Sequence, residues 1–506
     1  MIDINISKDV LVLGAGAAGL EAAEKIVACG YNVLVLGKGE AKGSDKFEVI
    51  THGTLAAFAG VAGDFRAAIA KGGEISERTF GAVVVAPEYQ NEPLNEQYGL
   101  SLNERVVTQT RMEALLNSKE GEEKLLNKNG STIAFVTGFG QEGDTESTKR
   151  TLESALSVQK LANCKAYIYA GNVKVAADGL ERLFTEGRHK GVVCFKPEKM
   201  PEITEENGKL KIVAKDPVIR DEVELEPDYI VVEERVSVAL DDMNIASVLR
   251  IDSDLDCFLP SNNVHRFPVN SNREGIFVVG NFKEAANAAL RVKEFIKDGV
   301  KQVAEACAVV DDKKCVICLT CYRCCPHGAI FWENGAAVIS PVACQACGIC
   351  ASECPMDAIQ IGDFTDDDLK RDIKEAVAST GDDTSIVAFC CRNSAFEAGQ
   401  AALAFGSEFP AGFRMIEVPC AGKVDVEFIM NALVCGADGV IVAACHEGNC
   451  KAEKGNLFAK WRVNEIRQRL AAMGLDKERV SFVTVASNMA DDFAGKVKAF
   501  AEKIKA

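Results

Sequence analysis

The tightest constraint in this chain is a pair of cysteine runs. Residues 315–330 read CVICLTCYRCCPHGAI and residues 344–359 read CQACGICASECPMDAI. Each is C-x2-C-x2-C-x3-C-P, so Cys315, Cys318, Cys321, Cys325 and Pro326 are matched by Cys344, Cys347, Cys350, Cys354 and Pro355. Three cysteines at this spacing wrap a loop around one corner of a cubane, each thiolate facing a different iron, and the fourth reaches the other cluster. The spacing predicts two 4Fe-4S clusters, one on Cys315, Cys318, Cys321 and Cys354, the other on Cys344, Cys347, Cys350 and Cys325. Zinc ribbons pair two C-x2-C units rather than runs of four. Cys324 falls outside the pattern and reads as a spare thiol beside a cluster, or as a substitute for Cys325.

The whole chain sets outer limits. A length of 506 residues allows about two to four domains. A net charge of -17 argues against sequence-independent binding of nucleic acid or anionic lipid, which need basic surfaces. Twenty cysteines would signal disulfides in a short secreted chain, but here they are grouped in metal-ligand spacings, and the start MIDINISKDV has no charged-then-apolar leader. A reducing cytoplasm is expected. No apolar run approaches the ~18 to 20 residues that span a bilayer, so membrane attachment is expected only through another subunit.

Asp9 to Leu13 reads as a short strand running into Gly14-Ala15-Gly16-Ala17-Ala18-Gly19 and the helix-forming LEAAEKIVACG. Strand, G-x-G-x-x-G turn and helix make the phosphate-binding start of a dinucleotide fold. Gly14 and Gly16 let backbone approach a pyrophosphate, Gly19 lets helix and strand pack closely, and the helix start at Ala17 and Ala18 supplies the positive end of a dipole. A second strand follows at Asn32 to Leu36. Its end, where an acidic residue usually holds the adenosine ribose, is Gly37, followed by Lys38; Glu40 would serve only if the loop turned back.

The motif partly repeats at Gly138-Phe139-Gly140-Gln141-Glu142-Gly143, between a strand at Thr132 to Val136 and a helix from about Glu146 to Leu161. This reads as a crossover loop within the same α/β domain or as a nicotinamide nucleotide site; Glu142 and Asp144, which would repel phosphate, favour the loop. Gly275 to Asn281, GIFVVGN, is an apolar strand closed by glycine, expected to return beside the first turn and set Gly280 and Asn281 against a flavin ribityl or pyrophosphate group. No reactive cysteine pair of the disulfide-reductase kind lies between Cys29 and Cys164. No acid, base or nucleophile constellation stands out, and His52, His189 and His265 read as surface or core residues.

Beyond the acidic stretch Asp363 to Asp368, strands at Ser385 to Phe389, Phe413 to Val418, Gly439 to Ala444 and Val480 to Val485 alternate with helices. This predicts a parallel α/β sheet. Cys390 and Cys391 follow the first strand, Cys420 the second, and Cys445 and Cys450 bracket the loop after the third. Carboxyl ends of neighbouring parallel strands meet at one edge, so Cys391, Cys420, Cys445 and Cys450 converge. The set suits a 2Fe-2S cluster, with tetrahedral zinc the alternative. Cys435 reads as core.

With these residues assembled, the chain resembles the flavin and iron-sulfur A subunit of heterodisulfide reductases and the related B subunit of quinone-interacting membrane-bound oxidoreductase. VLVLGAGAAGLEAA, EGIFVVG and the twin cysteine runs carry the likeness. The tail resembles a fused methyl-viologen-reducing hydrogenase delta subunit, in FCCRNSA, VPCAGKVD, GADGVIV and CHEGNC. A further cysteine of that pattern is Ser394 here, and Pro87-Glu88 follows the strand AVVVA where such flavoproteins often have Thr-Gly. The resemblance implies an oxidoreductase subunit that relays electrons among FAD, two 4Fe-4S clusters, one 2Fe-2S cluster and partners. Those partners would be heterodisulfide reductase B- or C-like, quinone-interacting or hydrogenase-like subunits, or a ferredoxin. A flavin-free relay on a degenerate nucleotide fold is the alternative. The expected class is α/β: a Rossmann-like FAD-binding domain over 1–305, a two-cluster α+β ferredoxin domain over 306–365 and the iron-sulfur tail over 366–506.

Overall fold

The computed structural model describes every residue except 41–42, 127–129, 142–144, 177–178, 207, 256, 260–262, 281, 304–306, 382 and 506. Two compact units divide it, Met1–Glu88 with Leu240–Ala506, and Tyr89–Ala239. The span 1–305, expected as one domain, is therefore split by an insertion. The insertion closes on itself, because Tyr89–Pro93 pairs antiparallel with Glu234–Val238.

In the first unit, Asp9–Leu13, Asn32–Leu36 and Ala82–Val85 are runs of Val, Leu and Ala buried on both faces, as strands inside a parallel sheet must be. They form a five-stranded parallel sheet in the order Ile276–Val278, Ala82–Val85, Asp9–Leu13, Asn32–Leu36, Glu48–Ile50. The helix Ala17–Ala28 buries Ala22, Ala23 and Ile26 and packs beside the helix Phe282–Ile296. An antiparallel meander, Gly53–Val61, Asp64–Lys71 and Glu74–Phe80, leads into the Ala82–Val85 strand. The return strand Ile276–Val278 joins as expected, which puts Gly280 at the same sheet edge as the Gly14 turn.

The cysteine runs sit in a module with little regular structure. Val309–Val310 pairs with Ile359–Gln360 and Ile330–Glu333 with Ala336–Ile339, and two short helices, Thr320–Cys324 and Ile349–Ser352, follow the first cysteines of each run. The tail is a four-stranded parallel sheet ordered Phe413–Val418, Ile386–Cys391, Gly439–Ala444, Val480–Thr484. The second strand lies on one side of the first and the third on the other, so a switch point opens at their carboxyl ends. Cys390 and Cys391 lie inside the first strand rather than after it, on opposite faces. Cys390 packs with Phe413 and Phe493, whereas Cys391 joins the core of Phe389 and Phe428.

The second unit has its own five-stranded parallel sheet, ordered Val106–Thr108, Tyr229–Val232, Thr132–Thr137, Lys165–Ala170, Val193–Phe195. An antiparallel meander, Glu202–Glu206, Lys209–Lys215 and Glu222–Leu225, accompanies it. The second glycine turn follows the central strand and precedes the helix Thr145–Lys160. Its described part, Gly138 to Gln141, therefore belongs to a separate sheet and is not a crossover within the first; Glu142 and Asp144 lie outside the described residues.

Candidate metal centres and flavin cleft

Two small cavities hold the cysteine runs. Cys315, Cys318, Cys321 and Cys354 line one, and Cys325, Cys344, Cys347 and Cys350 the other, so each run sends its fourth cysteine across. The backbone repeats with the sequence. Ile317 and Ala346 have φ of 53° and 50°, Leu319 and Gly348 58° and 82°, Gly328 and Asp357 59° and 47°. Left-handed backbone costs a non-glycine residue about 1–2 kcal/mol, and here it curls both loops around an enclosed point. Amide groups then reach the sulfurs: the N–H of Ala337, Ala346 and Ala358 donate to Sγ of Cys315, Cys344 and Cys354, each at 3.4 Å.

Burial pushes the Cys344 thiol up to about 12 and raises Cys347 and Cys350 as well. Thiolates can gather in such a place only around a compensating cation, a demand that a bound metal centre meets. Cys318 is exposed instead, and the Thr320 hydroxyl and N–H lower its thiol. Cys324 lines neither cavity, its thiol donating to the Cys321 carbonyl at 3.4 Å. Cys307, which has no spacing partner in the sequence, is hydrogen-bonded by the Cys344 thiol. With Cys347, Arg392, Cys420 and Lys451 it lines a cleft of about 200 Å³ between the cysteine module and the tail.

In the tail the four expected thiols meet at the switch point. Sγ of Cys391 and Cys445 are 3.8 Å apart, Cys391 also bonds to Cys420, and Cys450 bonds to both Cys420 and Cys445, which closes a ring. Hydrogen bonds from Cys391 and from Cys450 hold the Cys445 thiol below the usual range. Gly455 is glycine for space: a Cβ there would lie 2.3 Å from Cys420 Sγ and 3.6 Å from Cys450 Sγ. Asn456 Nδ2 fixes the loop by donating to the carbonyls of Cys445 and His446 at 3.1 and 2.8 Å. Among the described residues no three His, Cys, Asp or Glu side chains close on a point suited to a bare metal ion.

The first glycine turn is built as a phosphate cradle. A Cβ on Gly14 would lie 2.0 Å from the Ala86 carbonyl oxygen, and one on Gly19 2.0 Å from that of Gly14. Gly16 caps the helix without a side-chain bond, and no acid occupies the first turn, so the helix start at Ala17 and Ala18 presents its N–H groups at the turn. A cleft of about 440 Å³ opens beside the turn, lined by Gly14, Lys38, Thr54, Glu88 and Asn244 among others. A pyrophosphate fits this turn. Gly37 is glycine for packing, because its Cβ would stand 2.5 Å from that of Ala15, so no ribose-binding acid fits there. Glu88 brings a carboxylate oxygen to 3.6 Å from the Cβ position of Gly16. The N–H of Gly280 donates to Glu284 Oε2 at 2.5 Å. Asn281 lies outside the described residues.

An FAD binding domain family matches residues 9–219, and a 4Fe-4S binding domain family residues 337–360. The family described as methyl-viologen-reducing hydrogenase, delta subunit, matches residues 386–506. The iron-sulfur D subunit of the F(420)-non-reducing hydrogenase vhu of Methanopyrus kandleri is 36% identical over 124 residues, 24% of this chain and 94% of that protein. Through its tail the chain belongs to the methyl-viologen-reducing hydrogenase delta-subunit family.

This delta-type tail is joined to a longer homologous stretch. The A subunit of the ferredoxin/F(420)H(2)-dependent CoB-CoM heterodisulfide reductase of Methanosarcina acetivorans is 25% identical over 458 residues, 84% of this chain. The chain spans 57% of that relative's length. Thioredoxin reductase of T. acidophilum aligns with 57% of this chain and 99% of its own at 13% identity and a TM-score of 0.36. Among the described residues no helix is long and apolar enough to cross a membrane.

Proposed function

We propose that the chain is an electron-transfer subunit of a multi-subunit redox complex of heterodisulfide reductase or quinone-interacting type, working in the cytoplasm or at a membrane through a partner. The observation that carries this reading is the contiguity of the thiol sets. Cys325 and Cys344 flank the core of the flavin-type sheet, while Cys347 of the same cavity packs against the tail core that contains Cys391, Cys420, Cys445 and Cys450. The other cavity reaches the surface at Cys318. The second cavity is thus a junction and the first an outlet.

Cys315, Cys318, Cys321 and Cys354 would hold one 4Fe-4S cluster, Cys325, Cys344, Cys347 and Cys350 the other, and the tail ring a 2Fe-2S cluster. For the tail, the iron-sulfur designation of the Methanopyrus relative favours the cluster over zinc. When bound, the clusters supply one-electron steps and FAD the exchange between one and two. The chain itself supplies fixed spacing, a dry setting and amide donors to sulfur. Anaerobically purified full-length protein should contain flavin, iron and acid-labile sulfide, with EPR signals of both cluster types. Zinc without sulfide in the tail would replace the 2Fe-2S assignment.

The carboxylate of Glu88 over the Gly16 turn and the closed position at Gly37 favour a second reading, the flavin-free relay. Glu88→Gln separates the two. If the carboxylate only weakens FAD, the variant takes it up about tenfold more tightly. If neither protein takes up FAD at micromolar concentration, the relay stands.

A further inference from the structure

The second glycine turn already holds an anion, and it is one of the chain's own. Glu233 follows directly on the strand Tyr229–Val232, whose register pairs Val232 with Val136 of the central strand. The carboxylate is thereby delivered to the sheet edge where a dinucleotide fold binds its pyrophosphate. Glu233 Oε2 accepts from the N–H of Gly138 at 2.8 Å and the Thr137 hydroxyl at 3.1 Å. Oε1 accepts from the N–H of Gly140 at 3.3 Å and from the Tyr98 hydroxyl. That hydroxyl in turn accepts from the N–H of Phe139 at 3.3 Å and of Gly140 at 3.1 Å.

Every one of these three amides is the kind of donor that a nucleotide phosphate needs. Glu233 is 4% exposed and Tyr98 4%, so the seat is closed to solvent as well as filled. A Cβ on Gly140 would meet Gln97 Oε1 at 2.7 Å and Tyr98 Cε2 at 3.2 Å, which leaves no room above the turn. The next strand, Lys165–Ala170, ends at Gly171, with no acid to hold a ribose.

We propose that Glu233, clamped by Tyr98, is a resident substitute for the ligand phosphate, and that the Tyr89–Ala239 unit takes no pyridine nucleotide. Hydride from NADH or NADPH is then not a source of electrons at this unit. The inference rests on the second unit alone and stands whether or not the first binds FAD.

The test is calorimetric titration of the full-length protein with NADH, NADPH and inorganic pyrophosphate. Wild type is expected to bind neither NADH nor NADPH at micromolar concentration, and any pyrophosphate it takes is held at the Gly14 turn; Glu233→Ala, with the carboxylate gone and the amides free, gains a further pyrophosphate site, binding there about tenfold or more tighter than wild type. Micromolar binding of NADH or NADPH by wild type overturns the proposal outright. So does a folded Glu233→Ala that gains no affinity for pyrophosphate. Should Glu233→Ala fail to fold, Tyr98→Phe serves, since loosening the clamp should speed amide exchange at Gly138 and Gly140; unchanged exchange overturns the clamp.

Discussion

Arg462, on the tail helix Gly455–Ala472, pairs with Glu353 at 2.5 Å, and Glu353 is the neighbour of Cys354. The same guanidinium donates to the carbonyls of Gly422 and Val424, both at 2.8 Å. One side chain therefore fixes the Cys420 loop against the end of the second cysteine run. Arg462→Ala should cost about 2–3 kcal/mol, discounted because Glu353 is partly exposed, and Arg462→Lys should recover only part of it. Denaturant unfolding would measure both. Equal stability of all three proteins would mean that the pair fixes nothing.

The second lock is pH-dependent. Lys423, 1% exposed, pairs with Asp366 at 2.5 Å, and the Ser352 hydroxyl donates to the Lys423 carbonyl at 2.6 Å. Burial pushes the Asp366 carboxyl up, but hydrogen bonds from Gln360 and Lys423 outweigh it and hold the group below its ordinary 3.8. A carboxyl lowered on folding adds stability above its unfolded value, and the contribution disappears as pH falls through the folded value. Thermal melts of wild type and Asp366→Asn should differ at neutral pH and converge in acid. A gap independent of pH would assign the effect to packing.

Crossing of the cysteine runs makes Cys354→Ala informative. Loss should fall on the centre of Cys315, Cys318 and Cys321, although those residues are more distant in sequence than Cys350. Iron analysis with low-temperature EPR would show which signal goes. Loss confined to the centre of Cys344, Cys347 and Cys350 would refute the crossed assignment.

Gly37 and Ala15 provide a paired test of the flavin turn. A simple reading of the ribose position would have Gly37→Glu tighten FAD, but the 2.5 Å approach to Ala15 predicts damage instead. Gly37→Ala should lower the melting temperature, Ala15→Gly should do little, and the double variant should recover most of the loss, a non-additivity expected of touching residues. Additive effects would show that the two positions are not coupled.

The cysteine runs were legible because most of their constraint is local: spacing of two residues sets three walls of each cavity, and the repeat of the run supplies the fourth. The tail thiols were legible by one further step, since parallel strands align their carboxyl ends. The insertion was not, because strand-helix alternation reads the same whether one sheet or two receive the strands. Its boundary is written in the pairing of Tyr89–Pro93 with Glu234–Val238, far apart in sequence. Glu233 is the first letter of an unremarkable Glu-Glu, Cys307 has no spacing partner, and Gly37 discloses its reason only through Ala15. Each depends on a contact between segments that no short window contains.

The shared linings of the two cysteine cavities also carry a consequence in time. Cys354 completes the cavity that Cys315, Cys318 and Cys321 begin, and Cys325 completes the later one. A ribosome that has just released the first run has made three walls of one chamber and a single wall of another. Neither chamber can be sealed until the second run has left the tunnel and folded back, so a cluster in either would assemble only once the whole module is made rather than step by step with its synthesis.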